Sequence, residues 1–160
     1  MLDVLHIENI AVIEKADIEF SPGLNVLTGE TGAGKSIVID ALGAVLGERT
    51  SRELIRTGAP AAAVTAVFSV EDTLPWFEEN GVECDGGEII VTRKITAEGK
   101  NICRVNGTPV SVAQLKALGA ALLNIHGQND GQSLLNEKFH RTYLDSFGKL
   151  ERDLEKYRAD

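Results

Sequence analysis

Apolar and polar positions alternate with a period of two at the start of the chain. Val4, His6 and Glu8 interleave with Leu5, Ile7 and Asn9, and alternation resumes from Val12 to Phe20, predicting two short strands around Asn9-Ile10-Ala11. Ser21-Pro22-Gly23 reads as a turn. Leu24-Asn25-Val26-Leu27-Thr28 then predicts a buried strand running into glycines. From Ser36 to Leu46 the apolar residues Ile37, Ile39, Ala41, Leu42, Val45 and Leu46 take up helical spacing, ending at Gly47. The order is strand, Gly-rich loop, helix.

After a polar stretch, Ala61 to Val70 predicts a strand with Val64, Ala66, Phe68 and Val70 on one face. Residues 71–88 predict a short helix and loop around Pro75-Trp76-Phe77 and Gly86-Gly87. Glu88 to Thr96 and Asn101 to Val105, joined through Ala97-Glu98-Gly99-Lys100, predict a β-hairpin, and Asn106-Gly107 the next turn. Ser111 is suited to cap a helix through Leu118, and Ala121 to Ile125 predicts a further apolar strand. Strands alternating with helices predict an α/β fold with a mixed sheet.

In the tail, Phe139, Tyr143, Phe147, Leu150, Leu154 and Tyr157 recur every three or four residues, with charges of both signs between them. That spacing suits the start of a coiled coil, although a helix packed on its own domain accounts for it as well. The expected division is therefore 1–138 as one lobe and 139–160 as a helix leading out of it.

Composition narrows the class. The chain has 160 residues, 43% of them apolar and 25% charged, enough for one globular domain. No apolar run approaches the roughly 18 residues of a membrane span, and the start carries acid where a signal peptide carries base, so a cytoplasmic protein or fragment is expected, with no membrane partner. Cys84 and Cys103 form no CxxC and have no His at ligand spacing, which predicts reduced thiols. The net charge of −8 argues against a domain wrapped in nucleic acid, but its layout is uneven. Residues 71–88 hold seven acids and no base, whereas Arg93, Lys94, Lys100 and Arg104 gather on the predicted hairpin.

The chemistry lies in Gly29-Glu30-Thr31-Gly32-Ala33-Gly34-Lys35-Ser36, which matches G-x-x-x-x-G-K-[ST] between a predicted strand and a predicted helix. That pattern makes a P-loop. Backbone N–H groups from Gly29 to Ile37 would surround phosphate oxygens, and the helix N-terminus adds partial positive charge. Lys35 would reach the β- and γ-phosphates, and the Ser36 hydroxyl would ligate Mg²⁺. Hydrolysis also needs an acidic metal ligand and a group that orients water. Ile37-Val38-Ile39-Asp40 ends in acid but lies within the P-loop helix, and Leu122-Leu123-Asn124-Ile125 lacks acid, so neither supplies one. Asn-Lys-x-Asp, which would read guanine, is absent. Arg49, Arg52 and Arg56 keep open a free-standing P-loop kinase with a basic lid, and a non-hydrolysing, nucleotide-gated interaction module is the other alternative.

Residues 24–42, Leu-Ile-Arg-Thr-Gly at 54–58, Arg-Lys-Ile at 93–95, Arg-Val-Asn-Gly at 104–107 and Asn-Ile-His-Gly-Gln at 124–128 together closely resemble the amino-terminal part of RecN-type members of the SMC-like branch of the ABC ATPases. The resemblance implies a split ATPase head: an amino-terminal lobe with the P-loop, a coiled-coil arm, and a carboxy-terminal lobe with the signature motif and the acidic metal ligand. It implies ATP and Mg²⁺ as cofactors and a second head as partner in a homodimer. It further implies DNA as partner of the full-length protein, recombinational repair of double-strand breaks, and a place at the bacterial nucleoid. Hydrolysis would then need the carboxy-terminal lobe.

Residue by residue, the resemblance places Gln128 in a Q-loop as a catalytic and Mg²⁺-shell residue, with Gln132 as the nearby alternative. Arg56 falls where such heads hold an Arg near nucleotide or DNA, and Asn9 to Ile13 where adenine rests. His126 reads as structural. DNA contact by Arg93, Lys94, Lys100 and Arg104 follows only from the family's function. Alternation sets Arg93 and Lys94 on opposite faces, and a basic hairpin also serves as a sheet edge guarded against pairing.

Overall fold

The first alternating stretch folds as expected: β1 (Leu2–Ile10) and β2 (Ile13–Glu19) pair antiparallel, with Ile10 opposite Ile13. The computed structural model describes residues 1–29, 34–71, 73–84, 87–123 and 125, and in the tail positions 140, 144, 145, 147, 148 and 157. β3 (Ala61–Ser69), β4 (Glu88–Thr96), β5 (Asn101–Val105) and β6 (Thr108–Val110) complete a six-stranded sheet in the order β2-β1-β3-β4-β5-β6. Among the described residues every pairing is antiparallel. The predicted hairpin is reproduced at both ends.

One face of this sheet is apolar because the period-two pattern keeps Leu5, Ile7, Val64, Phe68, Val91 and Val105 on the same side, all essentially inaccessible. Helix α1 (Lys35–Val45) packs on β1, β3 and β4, helix α3 (Val112–Leu122) on β5, and the short α2 (Pro75–Asn80) on α3. The opposite face is polar, with Thr65 and Thr92 hydroxyls 3.1 Å apart. There His6 Nδ1 lies 2.5 Å from Asp17 Oδ1, and this hydrogen bond holds the Asp17 carboxyl below its ordinary value.

The join between α1 and α3 is set by two glycines. α1 ends in a Schellman motif, with Gly47 N–H donating to Ala44 O at 3.1 Å and Glu48 N–H to Gly43 O at 2.9 Å. Gly47 takes φ +88°, and a Cβ there would lie 2.4 Å from the backbone nitrogen of Lys116. From the other side, a Cβ on Gly119 of α3 would meet Leu46 O at 2.3 Å. The two helices touch backbone to backbone.

Ser111 caps α3 reciprocally with Gln114: its hydroxyl accepts from Gln114 N–H at 3.2 Å, while Gln114 Oε1 accepts from Ser111 N–H at 2.9 Å. Ser111→Ala is expected to lower stability by about 1 kcal/mol, seen as a shifted urea midpoint at constant slope; no shift would mean that solvent replaces the cap.

Two expected strands do not form. Residues 24–28 lie outside the sheet and exposed: among the described residues the edge strands β2 and β6 take no further partner, and this segment finds no ladder to join. Ala121 and Leu122 complete α3 instead of opening a strand, since the helix begun at Ser111 runs on past Gly119; Leu123 is its extended cap. Asn124 is outside the described residues.

The chain divides into two units, Met1–Asn124 and Ile125–Asp160. In the second, His140, Leu144, Asp145, Phe147 and Tyr157 are helical, and Gly148 N–H donates to Leu144 O at 2.9 Å. Phe139, Tyr143, Leu150 and Leu154 of the expected coiled-coil seam, and the expected boundary at 138, lie outside the described residues.

Candidate nucleotide site

Gly29 and Gly34 bracket the P-loop with φ of 152° and 104°. Glu30, Thr31, Gly32 and Ala33 lie outside the described residues. Gly34 is the N-cap of α1, with no side-chain cap and no acid in the first turn. The first intrahelical bond runs from Val38 N–H to Gly34 O at 3.1 Å, so the N–H groups of Ser36 and Ile37 point out of the helix end. The Lys35 ammonium donates back to Gly29 O, across the mouth of the loop. Ser36 is exposed, while Val38, Ala41 and Val45 are buried and fix the helix to the sheet.

Such an end suits a phosphate chain: a helix N-terminus with no side-chain cap and no acid in its first turn, a cation folded over it, and an accessible hydroxyl for a metal. Among the described residues no group of three or more His, Cys, Asp or Glu could hold a metal ion by itself. Of the described residues, Ser36 would hold Mg²⁺ through its hydroxyl beside phosphate oxygens. Gln128 and Gln132, expected in its shell, and His126 lie outside the described residues.

Arg56 is half-buried, and its Nη1 donates to Val12 O at 2.7 Å. Its backbone N–H donates to Asn9 O at 2.9 Å, and Ala11 N–H to Leu54 O at 2.9 Å. The segment before β3 is thus latched to the β1–β2 turn, where Asn9 and Ala11 hold φ of 54° and 46°. The structure brings together Arg56 and Asn9 to Ile13. Beside this turn, Ala11, Asp40, Ala44, Glu48 and Leu54 line a cleft of about 360 Å³ along α1.

The basic hairpin separates into two parts. Arg93 is only 2% exposed, facing α1 from within the core, so it is removed from the surface cluster expected to meet DNA. The period-two pleat dictates this, since Arg93 shares a face with Ile89, Val91 and Ile95. Lys94, Lys100 and Arg104 are exposed, and Arg104 Nη1 donates to Gly107 O at 2.8 Å. Sequence reasoning missed what Arg93 holds; a lone Arg on the apolar face of β4 was the available signal.

A model of the AAA domain family (AAA_23) matches residues 4–157. The chain belongs to this family. It is 44% identical to the DNA repair protein RecN of Halalkalibacterium halodurans over 99% of its own length and 29% of that protein's. It therefore spans under a third of that curated relative. Two solved structures share the fold. One is the Smc head domain of Pyrococcus furiosus with an extended coiled coil, bound to the C-terminal domain of ScpA, at TM-score 0.70 and 23% identity, covering 99% of this chain and 44% of that one. The other, from work on ATP-driven dimerization and DNA-stimulated activation of SMC ATPases, gives 0.67 at 22% identity, covering 91% of this chain and 98% of that one. The fold is that of a P-loop lobe of the SMC-head type. Among the described residues no helix is long and apolar enough to cross a membrane.

Proposed function

We propose that this chain is the ATP-binding lobe of an SMC-like ATPase head acting in recombinational repair of DNA double-strand breaks. The observation that carries the reading is the uncapped N-terminus of α1 with Lys35 folded across the loop toward Gly29, on a lobe of the SMC-head fold. Phosphates would sit on the N–H groups from Gly29 to Ile37, Lys35 would balance their charge, and Ser36 with Gln128 would complete the Mg²⁺ shell. Mg²⁺, when bound, would neutralise phosphate charge, and the chain's own residues would bind and orient the phosphates. Arg56, held in the β1–β2 turn, would lie beside the nucleotide.

The reading assigns hydrolysis to two lobes and, across a homodimer, to two heads. Leu24, Val26 and Leu27 support it: they are 91%, 69% and 44% exposed on the segment that enters the P-loop, an apolar run without cover among the described residues. A chain spanning 29% of its RecN relative leaves a carboxy-terminal lobe as the natural cover, extending this segment into a sheet and bringing the acidic metal ligand. DNA would then be the partner of the assembled protein rather than of this lobe alone.

The test is ATP turnover by the 160-residue chain alone and within the full-length protein. Silence alone with turnover in the full-length protein is expected. Robust turnover by the isolated chain would show that its active site is complete and would overturn the split-head reading.

A further inference from the structure

A phosphate-binding helix has two ends, and the far end of α1 is held by a charge from another element. α1 has 11 residues, about 16 Å of rise, and its last turn carries no basic residue of its own. Its final carbonyls bear partial negative charge and need partners. Arg93 of β4 provides them. Nη1 donates to Ala44 O and to Glu48 O, both at 2.7 Å. Nη2 donates to Thr50 Oγ1 at 3.1 Å and to Asn101 Oδ1 at 2.9 Å, and Nε donates to the same Asn101 oxygen at 3.0 Å.

The five N–H donors of the guanidinium are therefore all used, and no acceptor is a carboxylate. The charge is answered by the negative end of the helix. Burying a cation is expensive, and the other inward residues of β4 are Ile89, Val91 and Ile95, so an apolar side chain would serve the core at least as well. What an apolar residue cannot do is tie the end of α1, the chain at 48–50 and the β4–β5 hairpin through one rigid fork.

We propose that Arg93 is a positioning residue for the nucleotide: by clamping the C-terminal end of α1 to β4 and β5 it fixes the direction in which the N–H groups of Ser36 and Ile37 and the ammonium of Lys35 meet the phosphates. The inference rests on the nucleotide-binding reading above. It requires binding to follow the fork, whereas stability follows burial.

The experiment compares wild type, Arg93→Lys and Arg93→Met in the full-length protein. Isothermal titration with ATP and Mg²⁺ reads affinity, and urea unfolding reads stability. Arg93→Met is expected to be at least as stable as Arg93→Lys yet to bind ATP about tenfold more weakly than wild type, with Arg93→Lys between the two in affinity. Affinity of Arg93→Met equal to wild type, or affinities that simply track stability, would overturn the proposal while leaving nucleotide binding intact. A wild-type protein that binds no ATP would overturn both readings. If Arg93→Met does not fold, Arg93→Lys decides alone: a wild-type affinity in that variant rejects the positioning role, and a several-fold loss with unchanged circular dichroism supports it.

Discussion

Lys35→Ala is expected to weaken binding of ATP with Mg²⁺ by about 100-fold and to abolish turnover in the full-length protein, with the fold intact. The ammonium is the only side-chain cation within the Gly29 to Ser36 motif, and it folds across the loop onto Gly29 O. Removing it leaves the backbone N–H groups and the helix end, which attract phosphate but cannot neutralise the γ-phosphate charge. Lys35 is half-buried at the first position of α1, where alanine is an excellent helix former, so stability should hardly change. Titration calorimetry with parallel urea unfolding separates the two effects. Unchanged affinity would place nucleotide elsewhere, or show that the loop binds none.

Gly47→Ala is expected to destabilise the fold by about 2–5 kcal/mol, combining left-handed strain with overpacking against α3. Its φ of +88° strains any L side chain, and the added Cβ would stand 2.4 Å from Lys116 N, a backbone atom that cannot swing aside. Gly81→Ala is the control. Gly81 has φ +62° and nothing within 4 Å of its Cβ position, so that substitution carries only the backbone part, about 1–2 kcal/mol. Urea midpoints of the two variants separate strain from clash. If Gly47→Ala costs no more than Gly81→Ala, α3 yields without loss and the backbone contact between the helices is not a constraint.

Such losses are large against the 5–15 kcal/mol typical of a domain. They also bear on the proposed site, because the C-terminal end of α1 is pinned by α3 at Gly47 and by Arg93 from the sheet, while its N-terminal end is the one proposed to receive phosphate.

Local pattern determined a good deal by itself. Alternation in β1, β3, β4 and β5 fixed both the strands and their buried faces, because a period of two admits one apolar side. Ser111 with Gln114 marked the start of α3, and the Gly-x-x-x-x-Gly-Lys-Ser spacing between apolar segments marked a P-loop, since these devices need only residues near in sequence. Tertiary structure decided the rest. Residues 24–28 have the composition of a buried strand but, among the described residues, no neighbour to pair with, and strand formation depends on that neighbour. Arg56 and the β1–β2 turn meet only once the chain has folded over 44 positions of separation. Arg93 reads as one of four hairpin bases until the pleat turns it inward and the end of α1 arrives above it, where its charge finds helix carbonyls instead of solvent.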